Sequence, residues 1–247
     1  MKLVESFLTR NPCYTAGRKI MVRGLMLHSV GCPQPKASVF IQNWNHSDFK
    51  SACVHAFIDG NDGTVYQTLP WDHRGWHCGG NGNNTHIGVE MCEPKCIKYT
   101  GGSTFTCSDL DTACAVAKRT YQAAVELFAM LCQKYSLDPL EDGVILSHWE
   151  GHTRGIASNH GDPEHLWTQL GLPYTMDGFR ADVKAALTAP VKKLDNDPSD
   201  WSRKAVTWAT ENDLLLGDAA GDLLLRSPLT REQFCVMLKR YHDHFIT

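Results

Sequence analysis

The sequence contains no long apolar run, no run of basic residues and no large excess of one charge. No segment approaches the roughly 20 apolar residues that span a bilayer, so no membrane-spanning helix is predicted. Lysine and arginine number 24 against 27 acidic residues, and no basic run alternates with aromatic residues, which argues against nucleic-acid binding. The first eight residues include Glu5 and lack the apolar core of a secretory signal. We therefore expect a protein that is made and retained in the cytoplasm until it is released.

Ten cysteines are present, and an even number is compatible with disulfides. However, a chain of 247 residues is long enough to be stable without them, and Cys53, Cys114 and Cys132 lie in apolar strand-like or helix-like segments. Cys92 and Cys96 have no second pair at a metal-binding spacing. The sequence therefore predicts reduced thiols.

Apolar segments of strand length alternate with helical patterns in the first 188 residues. Two of the strands are joined by residues 60–63, a Gly-Asn-Asp-Gly sequence typical of a hairpin turn. A long helix is predicted from about Asp109 to Tyr135 with Ser108 as its cap, and a short helix around residues 39–44. The predicted strands are Gly24–Val30, Ala52–Asp59, Thr64–Leu69, Ile87–Cys92 and Val144–Ser147. This order predicts an α/β fold, a mixed central β-sheet flanked by helices.

The composition changes near residue 189. Residues 189–200 are polar, contain Pro190 and Pro198, and have no periodic apolar face, which is typical of a linker. Beyond them, helical patterns cover Trp201–Ala209 and Thr230–Tyr241. We therefore predict a catalytic domain over 1–188, a linker over 189–200 and a small helical module over 201–247.

Two histidines stand at the ends of apolar strand patterns, His28 after Leu25-Met26-Leu27 and His148 after Val144-Ile145-Leu146-Ser147. Either one alone could equally be a core histidine with satisfied hydrogen bonds. Together with Asp162 in the loop that follows, they offer three ligands to zinc and leave a fourth position for water. His165 is expected at the surface.

Glu90 lies within an apolar strand pattern, Ile87-Gly88-Val89-Glu90-Met91-Cys92. A carboxyl group there is costly unless it has a partner or a role, and a zinc-activated water needs a nearby base. The alternative is an outward-facing side chain on an edge strand.

These residues and the sequence around them resemble the type 2 N-acetylmuramoyl-L-alanine amidases, which share their fold with the peptidoglycan recognition proteins. The resemblance covers roughly residues 20–175. It is carried by His28, Trp76-His77, Ile87-Gly88-Val89-Glu90 and the block from Ser147-His148 to Asp162-Pro163, and it extends to a subgroup common in phage lysins and prophages of Gram-positive bacteria.

The resemblance implies that zinc is held by His28, His148 and Asp162 and that Glu90 assists the attacking water. Many relatives have a shorter gap between the second ligand and the aspartate, which His152 would restore; we prefer His148 because it ends the apolar strand pattern. His160 stands two residues before Asp162, where many relatives have a lysine that stabilises the oxyanion, and an imidazole there is expected to take this role. Three further residues, Trp76, His77 and Asn159, are expected to contact the substrate.

The C-terminal segment resembles one S-layer homology module, through Trp201, Trp208-Ala209, Gly217 and the run from Leu229 to Phe234. The resemblance implies binding to a secondary cell-wall polymer. Only one copy is present where three are common, so self-association into a homo-oligomer would help it to bind.

The function expected from the sequence is a hydrolase of peptidoglycan that cuts the amide between N-acetylmuramic acid and L-alanine, acting at the bacterial cell wall as a lytic endolysin or autolysin. Two alternatives are a recognition module that binds peptidoglycan without cutting it, and a zinc hydrolase of another amide.

Overall fold

The computed structural model describes residues 1–188, 195–218 and 221–246. It separates into two compact units, Met1–Ala189 and Pro190–Thr247, which are described one at a time. Residues 189–194 of the predicted linker lie outside the described residues.

The first unit is built on a six-stranded mixed sheet. In spatial order its strands are β1 (Leu3–Glu5), β4 (Val65–Gln67), β3 (Ala56–Ile58), β5 (His86–Met91), β2 (Gly24–Ser29) and β8 (Ile145–Ser147). All neighbours are parallel except β3 and β4, the hairpin predicted around residues 60–63. Gly63 turns this hairpin with a φ of 75°, which glycine adopts without a steric penalty. The sheet confirms the predicted α/β class.

A small two-stranded sheet and six helices complete this unit. The strands are β6 (Ile97–Gly101) and β7 (Thr104–Cys107); the helices are α1 (Pro12–Ala16), α2 (Ala37–Trp44), α3 (Leu110–Tyr135), α4 (His148–Thr153), α5 (Glu164–Gln169) and α6 (Met176–Thr188). A 3-10 turn at Asn81–Asn84 precedes β5.

The core lies between the sheet and α3, with α6 packed on α3. Phe128 and Phe179 meet edge to face at 5.1 Å between ring centroids, and both are fully buried, as are Ile87 and Val89 of the central strand β5. Burial of this apolar face, which recurs at helical spacing along α3, holds the helix against the sheet.

Helix α3 begins one residue later than predicted, and its cap differs. The Asp109 side chain accepts a hydrogen bond from the Thr112 backbone N–H, whereas the Ser108 hydroxyl donates to the carbonyl of Cys96 in the β6–β7 hairpin. Ser108 is therefore used to attach the hairpin, a tertiary contact that the helical pattern did not indicate. All ten cysteines are free in the structure.

The second unit contains α7 (Arg203–Glu211) and α8 (Arg231–Phe245). Thr230 and Gln233 form a reciprocal capping box at the start of α8, and Trp208 stacks on Phe245 at 5.6 Å. The buried Asp222 accepts a hydrogen bond from the Asp195 backbone N–H. None of the described helices in either unit is both long and apolar enough to cross a membrane.

Candidate metal centre and active-site cleft

His28, His148 and Asp162 come together at one edge of the sheet, although 120 and 134 residues separate the partners along the chain. His28 lies on β2, His148 opens α4 directly after β8, and Asp162 lies in the loop before α5. Nδ1 of His28 is 3.0 Å from Nδ1 of His148 and 3.3 Å from Oδ2 of Asp162, and Nδ1 of His148 is 3.5 Å from Oδ1 of Asp162. All three side chains are buried.

The sequence suggested that His148 ends a strand, but it is the first residue of α4. The Ser147 hydroxyl accepts from the Glu150 backbone N–H, and the Glu150 carboxylate accepts from the Ser147 backbone N–H. This capping box ends β8 at Ser147 and begins the helix. Arg180 of α6 pairs with the same Glu150 carboxylate at 2.9 Å, so the first turn of α4 is fixed from two sides.

Burial and hydrogen bonding set the charges of this cluster. Burial lowers the pKa of His28 and places that of His77 well below its usual range, so both rings are neutral near pH 7. Burial alone would raise the pKa of Asp162, but the close contacts with His148 and His28 outweigh it and lower the pKa. The result is two imidazoles beside a carboxylate.

Glu90 lies next to His28. The two residues are register partners on the parallel strands β5 and β2, so their side chains point to the same face of the sheet. Burial, followed by the charges of Asp162 and Glu93, raises the pKa of Glu90 well above its ordinary value, and its Oε2 is buried with no partner among the described residues. β5 lies between β3 and β2, so the edge-strand alternative for Glu90 is wrong.

A cleft of about 610 Å³ opens in front of this cluster. Glu90, Asn159 and His160 line it, together with Trp149, whose side chain is 45% exposed. An open cleft with an aromatic wall and convergent polar groups is typical of a ligand site.

His160 contacts His148 on the side of the ring that carries Nε2. Nδ1 of His160 lies 3.2 Å from both Nε2 of His148 and the Ser158 hydroxyl, and the rings of the two histidines meet edge to face. When Nε2 of His148 donates in this group, Nδ1 of His160 accepts, and the hydrogen of His160 is then on Nε2.

Three residues that the sequence analysis named as a possible ligand or as substrate contacts are neither ligands in the buried cluster nor free polar groups in the cleft. His152 is in the last turn of α4, where its ring packs on Trp149 at 5.6 Å, and it is not part of the buried cluster. Trp76 is 40% exposed and does not line the cleft; the Arg74 guanidinium lies over its ring. His77 borders the cleft, but both of its ring nitrogens have protein partners.

One cluster at the cleft was missed. The Tyr99 hydroxyl, on β6, lies 2.8 Å from Oε2 of Glu93 and 2.7 Å from Nε2 of His165, and Glu93 is fully buried. His165 was expected at the surface, but its side chain is only 9% exposed. Glu93 lies three residues after Glu90, beyond the end of the apolar strand, and this proximity was the only signal in the sequence.

The three buried donors fit zinc. Bonds of about 2.0–2.1 Å to a tetrahedral zinc place neighbouring ligand atoms about 3.3 Å apart, close to the three separations measured here. Two imidazoles and a carboxylate leave one position of a tetrahedral ion open, and Glu90 lies beside His28 on the neighbouring strand. This donor set is typical of metal-dependent hydrolases.

Comparison with known proteins agrees with this class. Residues 17–165 match the Amidase_2 family, N-acetylmuramoyl-L-alanine amidase, and since the match covers more than half of the chain, the chain belongs to this family. It is 27% identical over 161 residues to the N-acetylmuramoyl-L-alanine amidase CwlH of Bacillus subtilis (strain 168), a match that covers 64% of this chain and 56% of CwlH. The chain thus matches little more than half the length of this curated relative.

Two solved structures share the fold. The hydrolase AmiA of Staphylococcus aureus, in complex with its ligand, has a TM-score of 0.57 at 21% identity, covering 76% of this chain and 83% of AmiA. The catalytic domain of XlyA has a TM-score of 0.51 at 18% identity, covering 74% of this chain and 99% of that domain. At these identities the likeness establishes the fold and nothing finer.

Proposed function

We propose that this protein is a zinc-dependent amidase that hydrolyses the amide between N-acetylmuramic acid and L-alanine in peptidoglycan. The observation that carries the proposal is the buried group of His28, His148 and Asp162, with donor separations that suit one tetrahedral ion, in a chain of the amidase family. The neighbouring Glu90 favours catalysis over binding alone, because a recognition module has no need of a buried acid beside a metal site.

In this proposal His28, His148 and Asp162 hold the zinc. A zinc ion held by these residues would supply a bound water whose pKa is lowered toward ~7. Glu90, which lies beside His28 and lines the cleft, accepts the proton of the attacking water and delivers it to the departing amine of L-alanine.

His160 donates a hydrogen bond to the oxygen that becomes negative as the amide carbon turns tetrahedral. Its Nδ1 lies among His148 and Ser158, so Nε2 is the nitrogen left for the substrate. Asn159 and Trp149 then provide an amide and an aromatic surface in the same cleft. The contacts of Trp76 and His77 with substrate remain predictions.

The second unit is proposed to attach the enzyme to a secondary cell-wall polymer. This compact unit has a groove of about 720 Å³ lined by a leucine-rich segment, Leu214–Leu216, and by residues of α8 such as Val236 and Arg240. The role as a phage endolysin or autolysin, the cytoplasmic location before release, self-association and the boundaries of the modules remain predictions from the sequence.

Digestion of purified cell walls tests the reaction. The proposal predicts new α-amino termini on L-alanine with no new reducing sugar ends, an activity that a strong chelator removes and added zinc restores. Binding to walls without release of termini would instead favour a recognition module, and new termini at another amide would favour a different zinc hydrolase.

A further inference from the structure

Three buried histidines stand in a row beneath the cleft. The ring centroids of His28 and His77 are 5.1 Å apart, and those of His77 and His55 are 5.9 Å apart. His28 is a proposed ligand, but the other two have no role in the reaction described above.

The hydrogen bonds of His77 have a direction that the backbone fixes. Its Nε2 lies 3.0 Å from the carbonyl oxygen of His86, which can only accept, so the ring hydrogen must be on Nε2. A neutral imidazole has one such hydrogen, and Nδ1 of His77 is therefore an acceptor. This Nδ1 lies 3.0 Å from Nε2 of His28.

The position of the hydrogen on the His28 ring follows from this acceptor. Its Nε2 must donate to His77, so its hydrogen is on Nε2 and its Nδ1 has a free lone pair. Nδ1 is the atom that lies beside His148 and Asp162. The carbonyl of His86 thus determines, through the intervening ring of His77, that the His28 nitrogen facing the metal position carries a lone pair.

The position of His77 is tightly constrained. Its backbone N–H donates to Oδ1 of Asn83 at 2.7 Å, and its ring lies directly on Gly88 of β5. A Cβ at residue 88 would lie 2.3 Å from Cγ of His77, so only glycine leaves room for the ring. A side chain on β5 at this point would displace the ring from His28.

We propose that His77 is a positioning residue that selects the tautomer of His28 whose Nδ1 binds the metal. The inference rests on the metal assigned in the proposed function. It gives His77 a role distinct from the substrate contact expected from the sequence, since neither ring nitrogen is left for a substrate. Hydrogen-bonding partners of metal-bound histidines typically contribute 10–100-fold to metal affinity.

Two substitutions each remove one of the two ring hydrogen bonds of His77 and keep the other. In His77→Asn, the amide oxygen stands near the position of Nδ1 and keeps an acceptor for His28. In His77→Gln, the amide nitrogen stands near the position of Nε2 and keeps a donor for the His86 carbonyl, but no acceptor remains for His28. Each variant loses one buried hydrogen bond, so a merely structural role would make them equivalent.

His55 provides a matched control. Its Nδ1 accepts from the Gly88 N–H at 3.0 Å and its Nε2 donates to the carbonyl of His73 at 2.8 Å, so both of its partners are backbone groups. His55→Gln disturbs the same buried row without changing a partner of a proposed ligand.

The test is zinc affinity, measured by competition with a chromophoric chelator, alongside the melting temperature of each metal-free variant. We expect His77→Gln to lose roughly 10–100-fold in affinity, and His77→Asn and His55→Gln to stay within about threefold of the wild type. Equal losses in His77→Asn and His77→Gln would overturn the inference. A wild-type protein that fails to bind zinc would instead refute the proposed function.

A second measurement reads the tautomer without metal. In long-range ¹H–¹⁵N spectra of the metal-free protein, with the His28 signals identified by their loss in His28→Gln, we expect a protonated Nε2 and an unprotonated Nδ1. The same pattern should persist in His77→Asn and change to a mixture in His77→Gln. An unchanged pattern in His77→Gln would show that another group selects the tautomer.

Discussion

Replacing His148 with alanine is the sharpest perturbation of the proposed metal centre, because His152 offers a matched control on the same helix. Nδ1 of His148 lies 3.0 Å from Nδ1 of His28, whereas the His152 ring packs on Trp149 outside the buried cluster. His148→Ala therefore removes a ligand, and His152→Ala removes a contact at the rim.

The magnitude follows from the number of ligands. Structural zinc sites with four protein ligands bind with about 10–16 kcal/mol, which is about 3 kcal/mol for each ligand and more than a 100-fold change in affinity. Asp162 would in addition lose one of its two imidazole partners. We expect His148→Ala to retain almost no zinc and His152→Ala to keep one ion per chain.

Elemental analysis after dialysis against a weak chelator gives the zinc content, and competition with a chromophoric chelator gives the affinity. Both variants need a folded-state control, for which far-ultraviolet circular dichroism is sufficient. Loss of zinc from His152→Ala with retention in His148→Ala would refute the assignment and make His152 the ligand.

Three further predictions concern the rest of the protein. Glu90→Gln cannot accept a proton, so wall hydrolysis should fall by roughly 100-fold or more while zinc content stays at one per chain; near-normal lysis would remove Glu90 from the reaction. Burial raises the pKa of Glu93 from its ordinary value of 4.5 to about 7, because the ionised form is poorly solvated in the folded protein. The free energy of unfolding of the metal-free protein is therefore highest below about pH 4.5, and it falls by up to about 3 kcal/mol as the pH rises through 7. The difference in the free energy of unfolding between pH 5 and pH 8, measured with denaturant, should be smaller for Glu93→Gln than for the wild type. An equal difference would contradict a raised pKa at Glu93. A chain that ends at Leu187 should stay folded and cleave soluble muramyl peptides, but act less well on intact walls because the tether is lost; unchanged lysis of whole cells would refute the targeting role.

Strand and helix periodicity predicted the centre of the fold. The five predicted strands all exist, and Glu90 and His28 could be placed on strands because they interrupt apolar runs. Four of the five observed strands are shorter than predicted, however; the predicted Ala52–Asp59 contains only Ala56–Ile58. Apolar residues such as Cys53 and Val54 are buried beside the sheet without extending the strand, and periodicity reports burial rather than pairing.

Tertiary contacts determined what the sequence could not show. The β6–β7 hairpin carries Tyr99 to the cleft, but its strands have few buried residues, and the pattern was therefore weak. Ser108 and Asp109 are both good helix caps, and the contact of Ser108 with Cys96 decides between them. His165 was expected at the surface, whereas its side chain contacts Tyr99, 66 residues away along the chain, and periodicity does not report such a contact.

The chemistry proposed for this cleft also bears on the stability of the fold. His28, His148 and Asp162 come from three separate segments, and all are buried, which costs free energy unless their charges and lone pairs are paired. A cation that binds all three does so only in the folded state, and at 100 times its dissociation constant it adds about 2.7 kcal/mol to stability. The hydrogen bonds from His28 to His77 and from His77 to the His86 carbonyl leave the lone pair of His28 Nδ1 available for that cation in the metal-free protein. A metal ion bound there would thus link β2, α4 and the loop before α5, in addition to its proposed role in catalysis.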